Sequence, residues 1–319
     1  MTTPRTPGIP RHGVPGRRPP LRWPVFLLLL TLLGCGAGLV PDRIGSSAQE
    51  SPLVGPPSGS LVLAGGGPLG PEIWERFVEL AGGTDARIVV IPTAASQDHF
   101  PEDWSGLAPL IQAGAEDIQI LHTRDRRKAD TEAFAAPLAE ATGVWIPGGR
   151  QWRLVDAYLD TRVHQALFEL LERDGVVGGT SAGASILASY LVRGDPETNQ
   201  VMVSPEYQVG FGLLSKTAVD QHLLARGRED DLWEVLDANP DLLGIGLDEG
   251  TALVVRQDHA EVIGVSQALF YDATEPPRYA RSFASGAIYD LGTRTPVATA
   301  ADEDASEEDR DGIQLGTRP

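Results

Sequence analysis

From residue 60 onward, short apolar runs alternate with longer amphipathic stretches. The runs at 61–64, 87–92, 118–121, 143–146 and 175–178 are mostly apolar, interrupted by Arg87 and Gln119, which predicts buried strands. Between them, apolar residues recur at helical spacing near 71–82, 103–114, 130–140 and 152–173. Strands separated by helices of this length predict a parallel sheet covered on both sides. Further on, 186–192 reads as a helix, 195–199 as a turn, 217–222 as a strand and 228–237 as a helix. The runs 243–247, 252–256, 261–265 and 268–271 stand close together, with turn residues such as Gln257-Asp258-His259 between two of them, and so predict hairpins. The fold class expected is α/β: three layers, a mostly parallel sheet with helices on both faces, and C-terminal hairpins.

The ends of the chain follow a different pattern. Residues 1–24 hold five arginines and no acid, and V-F-L-L-L-L-T-L-L-G-C follows. A basic start, a short apolar core and small residues before a cut describe a secretory signal over 1–34. The apolar stretch 25–40 is shorter than the roughly 20 residues of a spanning helix. Leu32-Leu33-Gly34-Cys35 resembles a bacterial lipobox, which makes Cys35 the expected lipidation site and the protein an exported lipoprotein, periplasmic or extracellular. As the lone cysteine, Cys35 allows no disulfide within the chain. Residues 35–58, rich in Gly, Pro and Ser, read as a flexible linker, and 59–291 as one catalytic domain. The tail 292–319 carries the acidic run 301–311 and is expected to be disordered.

With 44 acidic and 26 basic residues, the net charge is −18. That argues against a nucleic-acid partner, whose phosphates need basic groups. Membrane contact is expected only through a lipid anchor, and a homodimer is left open. No group of His, Cys, Asp and Glu shows metal-ligand spacing, and Gly65-Gly66-Gly67 lacks the spacing or lysine of a phosphate loop. The triple glycine reads instead as a tight turn at an active-site rim, so no cofactor is expected.

Gly179-Thr180-Ser181-Ala182-Gly183 fits G-x-S-x-G, after a predicted strand and before a predicted helix, the setting in which a serine is exposed on a sharp turn. Such a serine needs a base and an orienting carboxylate. Histidines 99, 122, 164, 222 and 259 are available, with the acidic pair Asp248-Glu249 between two apolar runs. The order Ser181…Asp248…His259 would suit an α/β-hydrolase, but His259 sits on a predicted hairpin tip. Ser181…His222…Glu249 places all three at strand ends.

T-S-A-G-A, then D-Q-H-x-x-x-R-x-R at 220–228, then G-I-G-L-D-E-G-T-A-L at 244–253 together resemble the cyanophycinase branch of the S51 serine peptidases. I-P-G-G-R-Q at 146–151 is similar to that family's G-G-x-Q segment, and the likeness runs over about residues 60–272. It implies a fold similar to class I glutamine amidotransferases, with serine in place of cysteine. It also implies Ser181 as nucleophile, His222 as base and Glu249 as its orienter, with the N–H groups of Gly149 and Ala182 as oxyanion donors. Cyanophycinases cleave a polyaspartate backbone whose β-carboxylates carry arginine. By the match, Gln151, Asp220, Gln221, Arg226 and Arg228 are the expected substrate-binding set. Arg226 and Arg228 suit carboxylates, and read as a helix start they oppose its dipole. The family's pattern has a further arginine where this chain has Asp231, which leaves the substrate open between cyanophycin and other aspartyl peptides. The rival readings are an aspartyl dipeptidase or another acyl hydrolase with the same triad, and a surface lipoprotein that binds without catalysis.

Overall fold

The computed structural model describes residues 53–274 and 279–298. Five parallel strands form half of the main sheet: β1 (Ser60–Ala64), β2 (Arg87–Val90), β3 (Asp117–Ile120), β4 (Gly143–Ile146) and β5 (Val176–Thr180). They lie in the order β1-β5-β4-β2-β3. Every residue of β1 and β4 is buried, as an unbroken apolar run requires, whereas the edge strand β3 (D-I-Q-I) carries polar residues at alternate positions. The helices between them are α1 (Pro71–Leu80), α2 (Ala108–Gln112), α3 (Arg126–Ala129), α4 (Glu132–Glu140), α5 (Gln151–Tyr158) and α6 (Arg162–Glu172). Leu61 and Leu63 join one apolar cluster, with Leu154 of α5 and Leu167 of α6. Val62 and Ala64 join the other, with Ile73 and Phe77 of α1 and Leu110 of α2. The strand therefore has a core on each side.

After the serine turn come α7 (Ala182–Ser185), β6 (Ala188–Tyr190), β7 (Leu214–Gln221), α8 (Leu232–Ala238) and β8 (Leu243–Leu247). The chain finishes with β9 (Thr251–Arg256), β10 (His259–Gly264), β11 (Gln267–Asp272), β12 (Tyr279–Ala284), β13 (Ile288–Asp290) and β14 (Thr295–Val297). β9 pairs antiparallel with β1 and extends the main sheet through β10, β13 and β14. The main sheet is thus parallel on one side of β1 and antiparallel on the other. A second sheet, β12-β11-β8-β7-β6, takes the remaining strands. It contributes Leu214, Ile245 and Phe270 to the same apolar cluster as α5 and α6.

Some expectations need correction. The helix expected over 152–173 is two helices, because Asp160 turns left-handed (φ 56°) and Thr161 caps a new helix by accepting from the His164 N–H. The helix expected over 186–192 is absent. Ile186, Leu187, Ala188, Leu191 and Val192 are all buried, and Ala188–Tyr190 instead pairs with β7. A run buried on every side carries no periodicity by which helix and strand differ.

The domain also extends past both expected boundaries. Val54 is buried, its N–H donates to Asp258 Oδ1 at 2.6 Å, and its carbonyl accepts from Ser215 N–H at 2.7 Å, so the last residues of the supposed linker belong to the fold. At the other end, β14 pairs with β13, and Thr293 N–H and Oγ both donate to Asp290, so ordered structure continues to Val297. The leader, Cys35 and the acidic run 301–311 lie outside the described residues.

Asp258 closes the N-terminal strap by accepting from both Val54 and Gly55 N–H groups. Asp258→Ala strands both donors and is expected to cost about 1–3 kcal/mol. Urea unfolding should show a lower midpoint at unchanged slope.

Candidate active site

Ser181 links β5 to α7 with φ 55° and ψ −117°, a conformation few residues adopt without strain. Its neighbours are glycines for a steric reason. A Cβ on Gly179 would press on the Gly183 carbonyl, and one on Gly183 would overlap the Ile146 carbonyl. The Ser181 N–H donates to Ala64 O at 2.9 Å, which pins the turn to the end of β1.

His222 arrives from the other sheet, just past β7, also left-handed (φ 55°), with its N–H on Gly65 O at 2.9 Å. Its Nε2 lies 2.9 Å from Ser181 Oγ and its Nδ1 lies 2.5 Å from Glu249 Oε1. With Glu249 accepting from Nδ1–H, Nε2 carries the lone pair and accepts from the serine hydroxyl. Burial holds the His222 pKa below the usual histidine value; the Glu249 hydrogen bond opposes this and the Arg226 charge reinforces it. The imidazole is therefore neutral near pH 7 and able to take a proton. Of the acidic pair, Glu249 alone faces the imidazole. Asp248 accepts from Ala225 N–H at 2.9 Å and Ser266 Oγ at 2.6 Å, and fixes the loop that follows His222. Burial alone would raise the Asp248 pKa, but the bonds from Ser266 and Ala225 outweigh it and the carboxyl sits below its ordinary value.

The triple glycine makes room for this cluster. A Cβ on Gly66 would run into the His222 ring, and one on Gly67 would sit 2.5 Å from Glu249 Oε2. On the other side of the serine, a Cβ on Gly148 would come within 3.2 Å of Ser181 Cβ, and one on Gly149 (φ 150°) would overlap the Ala94 carbonyl. Ala182 opens α7, so its N–H has no carbonyl a turn earlier within that helix.

The residues expected to bind substrate are placed less uniformly. Gln151 is buried and its Nε2 donates to Val192 O at 3.2 Å. Asp220 is fully buried and takes a bidentate pair from Arg193, Nε at 2.7 Å and Nη2 at 2.8 Å. Its carboxylate is occupied inside the protein. Gln221 is buried and holds the nearly buried Arg228, whose Nη1 donates to the Gln221 carbonyl at 3.1 Å. Burial, with Arg193 close by, lowers the Arg228 pKa. Arg226 is exposed. Neither arginine opens a helix: Arg226 ends the 3₁₀ turn Leu224–Arg226 and α8 begins at Leu232, so the dipole argument does not apply to them.

Sequence reasoning missed Arg193. Its side chain is fully buried, its backbone is left-handed (φ 54°), and besides Asp220 it binds Asp231 Oδ2 at 2.6 Å. The one available signal was indirect: acids near a predicted core need a cation, and Arg193 falls between the segments 186–192 and 195–199. The remaining histidines are elsewhere: His122 Nδ1 is 2.8 Å from Thr93 Oγ, His164 Nε2 is 2.8 Å from Phe211 O, and His99 and His259 are exposed. Among the described residues, no group of three or more His, Cys, Asp or Glu is placed to hold a metal ion.

Residues 61–263 match the model of peptidase family S51. The chain is 32% identical to a cyanophycinase of Geminocystis herdmanii over 208 residues, covering 64% of this chain and 75% of that one. It is 34% identical to a cyanophycinase of Trichormus variabilis over 214 residues, covering 65% and 70%. Among solved structures, a peptidase from an acI-B1 actinobacterium superposes with a TM-score of 0.58 at 26% identity, covering 73% of this chain and 97% of that one. With the family match spanning well over half of its length, this chain belongs to peptidase family S51 and is a serine-type peptidase.

Proposed function

We propose that the protein hydrolyses aspartyl peptide bonds through an acyl-enzyme, with Ser181 as nucleophile, His222 as general base and Glu249 as its orienter. The observation that carries this reading is the unbroken contact from Ser181 Oγ through the imidazole to Glu249, 2.9 Å and 2.5 Å. In the first step Oγ attacks the carbonyl carbon and its proton passes to His222 Nε2. The oxygen, now negative, meets the Gly149 and Ala182 N–H groups, each worth about 3–4 kcal/mol where charge develops. The C–N bond then breaks and the leaving amine takes the proton from Nε2. Water repeats the sequence on the acyl-enzyme, losing its proton to His222 and releasing Ser181.

The relatives named cyanophycinase support that polymer as the first substrate to test. Arg226, exposed beside His222, suits a substrate carboxylate. Asp231 favours a second reading, that of a peptidase for shorter aspartyl peptides. Its carboxylate is committed in part to Arg193, and it supplies no third guanidinium. Relative rates on insoluble polymer and on Asp-X dipeptides separate the two. A binding lipoprotein without catalysis would have no use for the complete serine–histidine–glutamate contact. The leader supports export with lipidation at Cys35; Cys35→Ala should move the protein from the membrane to the soluble fraction.

Ser181→Ala is expected to abolish both turnover and fluorophosphonate labelling, with unfolding free energy within about 0.5 kcal/mol of wild type. Persistent hydrolysis in that variant would overturn the assignment. Gly66→Ala, which drives a methyl into the His222 ring, should slow labelling at least tenfold while Ser181 remains in place.

The pH profile follows from the histidine. A general base works when neutral, so kcat/KM rises with pH through the His222 pKa and levels off above it. Because that pKa is lowered, the midpoint of the acid limb is expected below 6.5. Glu249→Gln removes an influence that raises the pKa, so the limb should move lower still. The plateau should fall by about 10²–10⁴-fold as the imidazole loses its orientation. A limb that moves upward in Glu249→Gln would contradict this role for the glutamate.

A further inference from the structure

Three arginines gather at the C-terminal ends of β2, β3 and β4, on the Gly149 side of the serine. Arg153 Nη1 donates to Ala94 O at 2.9 Å, the same carbonyl that accepts from Arg150 N–H at 2.9 Å and that leaves no room for a Cβ on Gly149. The Arg153 guanidinium therefore shares a carbonyl with the oxyanion segment. Arg124 closes the group from β3, with Nη2 on Ala95 O and Gln97 O, and Nη1 on Asp98 at 2.6 Å. The charged groups facing Arg153 are Arg124, Arg150 and Asp98, three positive centres, Arg153 included, against one carboxylate.

Two further observations point to an anion here. Among the described residues, neither Arg150 nor Arg153 forms an ion pair with a carboxylate, in a chain whose net charge is −18. Arg150 reaches only a carbonyl, Asp195 O at 2.5 Å, and its buried Nε has no partner. Both arginines also stand at the N-terminal end of α5, as its N-cap and in its first turn, with no acid in that turn. Cations there oppose the helix dipole, whereas an anion would be favoured by dipole and guanidinium together. Burial and the two neighbouring arginines depress the Arg153 pKa, which agrees with crowded, uncompensated charge.

We propose that Arg150 and Arg153 form a carboxylate-binding subsite for the substrate chain, on the oxyanion side of Ser181. It lies apart from Arg226 and Arg228, which follow β7 in the second sheet. An acidic peptide crossing the serine then meets guanidinium groups on both flanks, and the carboxylates of the residues beside the scissile bond set its register. This rests on the reading of the site as a peptidase for acidic peptides. The bound carboxylate belongs either to a substrate side branch (an aspartyl side chain, or in the arginine-bearing polymer the α-carboxylate of the arginine that amidates it) or to the α-carboxylate at a chain end, and all make the same fork-to-carboxylate contact.

The test is calorimetric, in the Ser181→Ala protein, so that binding is read without turnover. The probe is N-acetyl tetra-aspartate, compared with its C-terminal amide and with peptides carrying one Asp→Asn replacement. Arg153→Gln should weaken binding of the acidic peptide about tenfold, and Arg153→Lys should recover part of that loss. One of the replaced peptides should bind the Arg153→Gln protein no more weakly than it binds the parent. If that peptide is the amide, the ligand is the chain end; if it is an asparagine peptide, the ligand is that side chain. Equal weakening across all peptides, or no weakening, overturns the subsite. Where Arg153→Gln lowers the unfolding midpoint, Arg150→Gln under the same comparison decides, since its side chain holds a different carbonyl. Arg153-dependent binding without hydrolysis by the wild type would keep the subsite and sink the peptidase reading. Hydrolysis with a KM indifferent to Arg153 would do the reverse.

Discussion

Three successive carbonyls at the end of β1 hold the serine–histidine–glutamate arrangement together. Ala64 O accepts from Ser181 N–H, Gly65 O from His222 N–H, and Gly66 O from Gly250 N–H, beside Glu249. Serine, histidine and glutamate follow separate strands, two of them in a different sheet, yet Ser181 and His222 through their own N–H groups, and Glu249 through that of its neighbour Gly250, are tied to the same short segment. Such bonds keep distances that side-chain packing alone would leave loose, and general-base catalysis needs donor and acceptor within hydrogen-bond reach. The arrangement requires that the segment itself have no side chains. With a Cβ at Gly66 or Gly67, the imidazole or the glutamate would have to withdraw. The triple glycine is the floor on which the site stands.

A second constraint is electrostatic. Asp220 lies fully buried two residues before His222, and an unpaired carboxylate there would cost several kcal/mol. Arg193 removes that cost with a bidentate pair, and by also holding Asp231 it ties the start of α8 to the end of β7. The loop between, which carries Arg226 and Arg228, is thereby held at both ends. Asp231 thus has a structural role in this chain, as Arg193's second partner. A buried ion cluster of this kind is weak evidence for stability and better evidence for a defined loop geometry.

Much of this was legible in the sequence. The five parallel strands were visible because each is a mostly apolar run set between helical patterns, and the elbow because only small residues tolerate so tight a turn. His222 and Glu249 were singled out by their positions at strand ends and by resemblance. What escaped notice depended on contacts between distant residues. The second sheet separates from the first only through pairing of β6, β7, β8, β11 and β12, which local pattern cannot rank. The run 186–192 has no polar face, so its period was ambiguous. Arg193 drew no notice because nothing local shows that its side chain turns inward. Val54 and β14 looked like linker and tail because their partners, Asp258 and β13, are far away or short.

The charge of the protein and the charge of its site oppose one another, and distance decides which of them governs an acidic substrate. At physiological ionic strength, exposed charges are largely screened beyond about 8 Å. The excess of carboxylates therefore slows the approach of a polyanion more than it weakens contacts once made. The exposed Arg226 stands toward the second sheet, and Arg150 and Arg153 toward β4, and among the described residues none of the three forms an ion pair with a carboxylate. Arginine binds carboxylates through a planar fork with little loss of freedom, so these local groups are suited to register an extended acidic chain across the nucleophile. The overall charge of −18 supplies no affinity for such a chain.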